Sequence, residues 1–248
     1  MDSLERLAPD WPRGWPWLLF VGFACLCAWV YSPALEGEFV SDDHAYLEDN
    51  PYTDSLDVES LGAMWRPFGD ANAYTANYAP LNLTFHALQR ALFGDALLAY
   101  HWMNLGLHAL NVTLLVALLL ASRVPKPAAL FGGVVFALHP ANVEAVAWIS
   151  QLKSVGAMAF ALGALLAYRR WPVASAVPFG LGLLMTASAS FALPFAVALA
   201  WAWRGPTQRH RLALGLWAGV FALYMVPQYA AHSAVFPAEV PAYADPLA

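Results

Sequence analysis

Apolar residues run along this chain in blocks, and short clusters of Arg, Lys and Pro divide them. Trp15 to Ser32 is the first block, and Tyr100 to Ala121 the second. Ala128 to His139, with a continuation to Trp148, is the third, and Val155 to Tyr168 the fourth. Each approaches the roughly 20 residues that cross a hydrocarbon core. Trp171 to Trp203 is 33 residues between basic clusters, which suits two short spans meeting near Met185 to Ser190 better than one long one. Leu212 to Tyr229 is the last. The pattern predicts an all-α polytopic membrane bundle of about seven helices in one module over 1–248. A first outer loop occupies about 34–99, and a tail covers 230–248.

Composition agrees with a membrane protein. The chain is 60% hydrophobic, 14% aromatic and 12% charged, against about a quarter charged for an ordinary soluble domain. Cys25 and Cys27 fall inside the first block and read as packing residues. The long first block, followed by Glu36 and Glu38 without a small-x-small site, reads as an uncleaved helix. With a cytoplasmic N-terminus, nine of the twelve basic residues share one side: Arg6, Arg13, Arg123, Lys126, Arg169, Arg170, Arg204, Arg209 and Arg211. Arg66, Arg90 and Lys153 take the other side. That bias follows the positive-inside rule only if Trp171 to Trp203 goes out and back. No nucleic-acid-binding pattern is present, and the net charge of −5 counts for less than where the charges lie.

The outer loop holds 11 of the 17 acidic residues, most of them read as a solvated face. Asp42 and Asp43, in "FVSDDHAYLEDNP", are different. Adjacent carboxylates between Phe39, Val40 and Tyr46 raise each other's proton affinity or recruit a cation, so the pair is a candidate base or metal ligand. "SLDVESLGAMW" reads as a capped amphipathic helix at the membrane surface, ending at Arg66. "YAPLNLTFHALQRALFG", from Tyr78, has helical spacing and reads as a second juxtamembrane or re-entrant helix, with Arg90 pointing to water. In "AYHWMNLGLHALNV", His101, Asn104, His108 and Asn111 share one helix face, a stripe that favours interhelical hydrogen bonding over ligand binding. A histidine beside a proline at a span end, as His139 is in "FALHPANVEAVAWIS", is usually a cap or kink, but Glu144 and the acid pair on the same side make it a site candidate, with Lys153 following.

Taken in order, "FVSDDHAYLEDNP", "YAPLNLTFHAL", "YHWMNLGLHALNV" and "HPANVEAVAWISQLKS" resemble the GT-C membrane glycosyltransferases. The nearest likeness is to the protein O-mannosyltransferase branch that carries tetratricopeptide repeats, and to its bacterial relatives. The resemblance covers about Tyr31 to Pro194. It implies transfer of a sugar, such as mannose, from a polyprenyl-phosphate lipid to a hydroxyl of a protein or glycan on the extracytoplasmic face of a bacterial inner membrane. It also implies Asp42 and Asp43 as the catalytic acids. His139, Glu144, Lys153, Arg66, Tyr78 and His101 fall on the substrate side, and Asp43, His139 and Glu144 form a candidate set for a divalent metal. The chain departs from that pattern at Ala79, Asn142 and Thr186–Ala187, and Lys153 alone survives of the run after Trp148. Those changes keep a second class open: a catalytically inactive relative that acts as a membrane scaffold or lipid-binding subunit. Repeats beyond residue 248, or a partner subunit, are expected to complete the enzyme.

Overall fold

The computed structural model describes residues 10–203 and 207–235, together with Leu4, Leu7 and Ala8. Among them the fold is all helical, with no strand. The elements are α1 (Trp15–Val30), α2 (Val58–Met64), α3 (Pro80–Phe93), α4 (Leu97–Ala121), α5 (Lys126–Leu138), α6 (Val143–Ala147), α7 (Leu152–Arg170), α8 (Ala176–Met185), α9 (Ala192–Ala202) and α10 (Gln208–Val235).

Three described stretches are long and apolar enough to cross a membrane: Leu97–Ala121, Ile149–Arg170 and Gln208–Ser233. The bent pair α5–α6 makes a fourth if taken as one span. The composition and these helices identify a membrane protein, with three to four candidate spans where the sequence suggested about seven. The difference has physical causes. α1 has 16 residues, a rise of about 24 Å at 1.5 Å per residue. α5 breaks at Pro140, which lacks an N–H and holds His139 extended at φ −67°, ψ 129°, and the chain turns by 52°.

The stretch Trp171 to Trp203 does divide where the sequence indicated. Thr186 is extended at φ −170°, ψ 153°, and a 3-10 turn over Ala187–Phe191 separates α8 from α9. The pair goes out and back along α7, since Met185 lies against Gly156 while Trp203 lies against Arg169. Their 10 and 11 residues fall short of the roughly 20 that cross a hydrocarbon core. α10 continues to Val235, past the expected end at Tyr229. Residues 236–248, most of the expected tail, lie outside the described residues, as do Arg6 and Arg204.

Alternation of direction gathers Arg123, Lys126, Arg169, Arg170, Arg209 and Arg211 at one end of the bundle, with Arg66, Arg90 and Lys153 at the other. α4 is the central post, packed by α1, α5 and α7. A Cβ on Gly133 of α5 would stand 2.6 Å from Val116 Cγ2 of α4, so only glycine permits this approach. The outer loop has its own core, in which Tyr46, Leu47, Met64, Leu83, Tyr100 and Ile149 pack together. α2 starts at Asp57, whose carboxylate accepts the Ser60 N–H at 2.7 Å.

Candidate functional site

The outer loop enters its turn through Ser41, at φ 49°, in the left-handed region that non-glycine residues rarely occupy. This backbone sends the two adjacent carboxylates to different surroundings. Asp43 is fully buried: Oδ2 accepts the Val40 N–H at 3.0 Å, and Oδ1 accepts the Ser150 N–H at 2.7 Å. Its charge is matched by backbone donors, and it ties the loop to the start of α7. Asp42 is half exposed, with Oδ2 3.6 Å from Lys153 Nζ.

Lys153 is the cation recruited to the pair. Its side chain is 16% exposed. The ammonium donates to the Tyr46 hydroxyl at 3.0 Å and stands 4.2 Å from the Tyr46 ring centroid. That cation–π contact fixes the charge beside Asp42 while leaving donors free for an anion. Tyr46 packs edge-on against His86 of α3. Burial pushes the His86 imidazole down to about 4, so it is neutral near pH 7. Its Nδ1 donates to Gln89 Oε1 at 2.9 Å, while Nε2 has no partner among the described residues.

Several residues singled out in the sequence lie elsewhere. His139 is exposed, and its Nδ1 accepts the Ala141 N–H at 3.2 Å, capping the turn after Pro140. Glu144 is exposed and accepts from Gln151 Nε2 at 3.2 Å. With Asp43 turned inward to backbone amides, the trio Asp43, His139 and Glu144 is not brought together. Among the described residues no three His, Cys, Asp or Glu side chains are grouped to hold an ion. Arg66 is exposed at the end of α2, and the described residues offer it no ion pair. Arg90, expected to face water, donates to Leu47 O at 2.7 Å and lies 3.3 Å from Asp54 Oδ1.

His101 and Tyr78 are buried and serve the scaffold. His101 Nε2 donates to Gly37 O at 3.1 Å, pinning the start of the loop. Tyr78 donates from its hydroxyl to Trp65 O at 3.3 Å. Its N–H bonds to Gln228 Oε1 and its carbonyl to the Tyr224 hydroxyl, so it joins the loop to α10. Burial raises its phenol above the usual range.

The polar stripe on α4 behaves as its interhelical reading requires. Asn104 Nδ2 donates to Trp148 O at 2.6 Å, His108 Nε2 to Ala137 O at 3.2 Å, and Asn111 Nδ2 to Val155 O at 2.9 Å. The Ala137 and Trp148 carbonyls belong to the broken stretch from the last turn of α5 to the start of α7, whose freed backbone groups must be satisfied inside a membrane, while Val155 lies in the first turn of α7. Asn142, at a departure from the family pattern, closes the end of α5 by donating to Phe136 O at 2.6 Å. An apolar cavity of about 330 Å³ lies beside the site, walled by Phe85, Met103, Leu107, Leu152, Gly156 and Met185. Lys153 stands in sequence between two of its wall residues.

Sequence reasoning missed Tyr46, His86 and Ser150 as parts of the site. In the sequence Tyr46 stands out only as a neighbour of the acid pair. The signal available was its place three residues after Asp43, within reach of whatever Asp43 positions.

Comparison with known proteins places this geometry in context. The chain is 34% identical over 158 residues to the human protein O-mannosyl-transferase TMTC1, covering 61% of this chain and 18% of that protein. It is 30% identical over 154 residues to the Drosophila melanogaster protein O-mannosyl-transferase Tmtc1, covering 60% and 18% respectively. The match thus spans less than a fifth of each relative. No family model and no solved structure matches. These similarities support a relationship to membrane O-mannosyltransferases.

Proposed function

We propose that this chain is the transferase module of a membrane glycosyltransferase. It moves a sugar, mannose by the printed names of its relatives, from a polyprenyl-phosphate donor to a hydroxyl acceptor on the extracytoplasmic face of a bacterial inner membrane. The observation that carries this reading is the arrangement of Asp42, Lys153 and Tyr46: one accessible carboxylate and one oriented ammonium, 3.6 Å apart. A donor of this class needs both. The acceptor hydroxyl attacks the anomeric carbon as the bond from that carbon to the phosphate oxygen breaks. Asp42 takes the acceptor proton. Lys153 meets the negative charge that grows on the departing lipid phosphate. Asp43 is a positioning residue, since it reaches the reacting atoms only by holding the loop to Ser150.

The apolar cavity, whose wall includes Leu152 next to Lys153 in sequence, suits the first isoprene units of the donor tail. Lys153 is the principal cation for the phosphate. The acceptor is a protein or glycan. The deciding experiment is transfer of labelled mannose from polyprenyl-phosphate mannose in proteoliposomes. Transfer that Asp42→Asn abolishes, in a variant that inserts and melts normally, supports the enzyme. Donor binding with no transfer, whatever the acceptor or partner added, favours the lipid-binding scaffold instead.

A further inference from the structure

At the opposite end of the bundle, roughly 24 Å from Lys153 along the 16 residues of α7 to Arg169, a second cavity of about 240 Å³ opens. Its wall includes Ser122, Arg123, Arg169, Trp203 and His210. The ends of α4, α7 and α9 and the first turn of α10 meet there. Basic residues at this end are expected from the charge bias of membrane proteins alone, so the arginines by themselves imply no ligand. The uncharged wall does. Ser122 Oγ and Trp203 Nε1 are buried atoms, and neither has a hydrogen-bond partner among the described residues. Leaving such a donor unpaired costs about 1–3 kcal/mol, and native folds rarely do so without a water, an ion or a ligand to meet it.

The electrostatics are one-sided. Arg169 donates to Ala121 O at 2.6 Å and stands 5.7 Å from the Trp203 ring centroid, so its guanidinium is held at the cavity rather than swinging free. Arg123, at φ 64°, follows Ser122 immediately. His210 is anchored through Nδ1 to Thr207 Oγ1 at 2.6 Å and through its carbonyl to the Tyr168 hydroxyl at 3.2 Å. No carboxylate lines the cavity among the described residues. Arg123 and Arg169 line this space, which is several times the roughly 30 Å³ share of one water, and the residues carrying the unpaired hydroxyl and indole N–H, Ser122 and Trp203, also stand in its wall. A tetrahedral oxyanion accepts from all of them.

A neighbouring cavity says what the anion is attached to. It measures about 600 Å³, shares Arg169, adds Arg170, and is otherwise apolar, with Leu4, Leu7, Gly163, Leu166 and Trp171 in its wall. We propose that the two cavities together bind an anionic phospholipid, its phosphate between Arg123 and Arg169 with Ser122 and Trp203 donating to it, and part of an acyl chain along Leu166. The site is separate from the Asp42–Lys153 centre and does not depend on the transferase reading.

The test is a titration of the purified full chain in detergent with dioctanoyl phosphatidylglycerol, dioctanoyl phosphatidylcholine and inorganic phosphate, read by the shift in Tm. Phosphatidylglycerol should stabilise the chain at concentrations at least tenfold lower than the other two. Arg123→Gln, Ser122→Ala and Trp203→Phe should each weaken that effect at least fivefold. Arg123 is exposed and Ser122→Ala removes only a hydroxyl, so both variants should melt like the parent when no lipid is added. Inorganic phosphate acting as well as phosphatidylglycerol, with the same losses, would overturn the lipid and give the pocket to free phosphate. Equal effects of the two lipids, or phosphatidylglycerol binding that none of the variants changes, would overturn the site altogether.

Discussion

Asp43 accepts the backbone N–H of Ser150 at 2.7 Å across 107 residues of chain, while its neighbour Asp42 faces solvent beside Lys153. The two carboxylates therefore divide the labour that their sequence motif leaves joined. Asp43→Asn keeps the shape but discards the charge that two amides share, at a cost of about 1.5–3 kcal/mol for each charged hydrogen bond weakened. The expected result is a clear drop in Tm for Asp43→Asn and none for Asp42→Asn. Equal melting of the two variants would remove the positioning role.

Activity should divide the other way. Asp42→Asn removes the proton acceptor and should lower transfer roughly a hundredfold or more. Asp43→Asn, assayed well below its Tm, should keep measurable transfer. A fully active Asp42→Asn would exclude it as the base.

His86 gives the fold a pH dependence of known sign. Its folded value, about 4, lies below the ordinary 6.5 because burial penalises the imidazolium. Above 6.5 both folded and unfolded chains hold it neutral, and the stability is fully present. As pH falls from 6.5 towards 4, the unfolded chain takes up the proton first and stability is lost, by up to about 3 kcal/mol. Melting curves between pH 7 and 4 should show this slope in the parent and a shallower one in His86→Gln. Parallel slopes would show that this histidine does not contribute.

Much of this architecture was legible in the sequence, for physical reasons that also mark where legibility stops. Pro140 and the 33-residue block from Trp171 announced breaks because proline and length constrain the backbone locally. The α4 stripe announced hydrogen bonding because His101, Asn104, His108 and Asn111 fall on one face. What each polar group bonds was not legible. Asp43 and Ser150 meet only through tertiary folding, and His139 spends its ring nitrogen on a local cap that no spacing rule separates from a ligand. Tyr78, expected on the substrate side, also joins the loop to Gln228 and Tyr224, 150 and 146 residues away, which no local pattern shows.

The stripe makes its own prediction. Asn104→Ala removes the 2.6 Å donor to the Trp148 carbonyl, which keeps the Gln151 N–H at 3.2 Å, so the loss should cost about 0.5–1.5 kcal/mol. Thermal melting in detergent measures it. An unchanged Tm would mean that water replaces the amide.

The charge segregation predicts an orientation with the Asp42–Lys153 end outside. In a variant freed of Cys25 and Cys27, cysteines placed at Asp54 should react with an impermeant thiol reagent from outside, and those at Pro127 and Gln208 only after the membrane is opened. Labelling at position 54 from the cytoplasmic side would invert the proposed site.

The most direct measurement of the central claim is equilibrium binding of labelled polyprenyl-phosphate mannose to the purified chain. The account predicts saturable binding that Lys153→Ala weakens at least tenfold, more than Arg66→Ala or Arg90→Ala, and that chelators leave unchanged. Binding that is absent, or indifferent to the loss of Lys153, would contradict it.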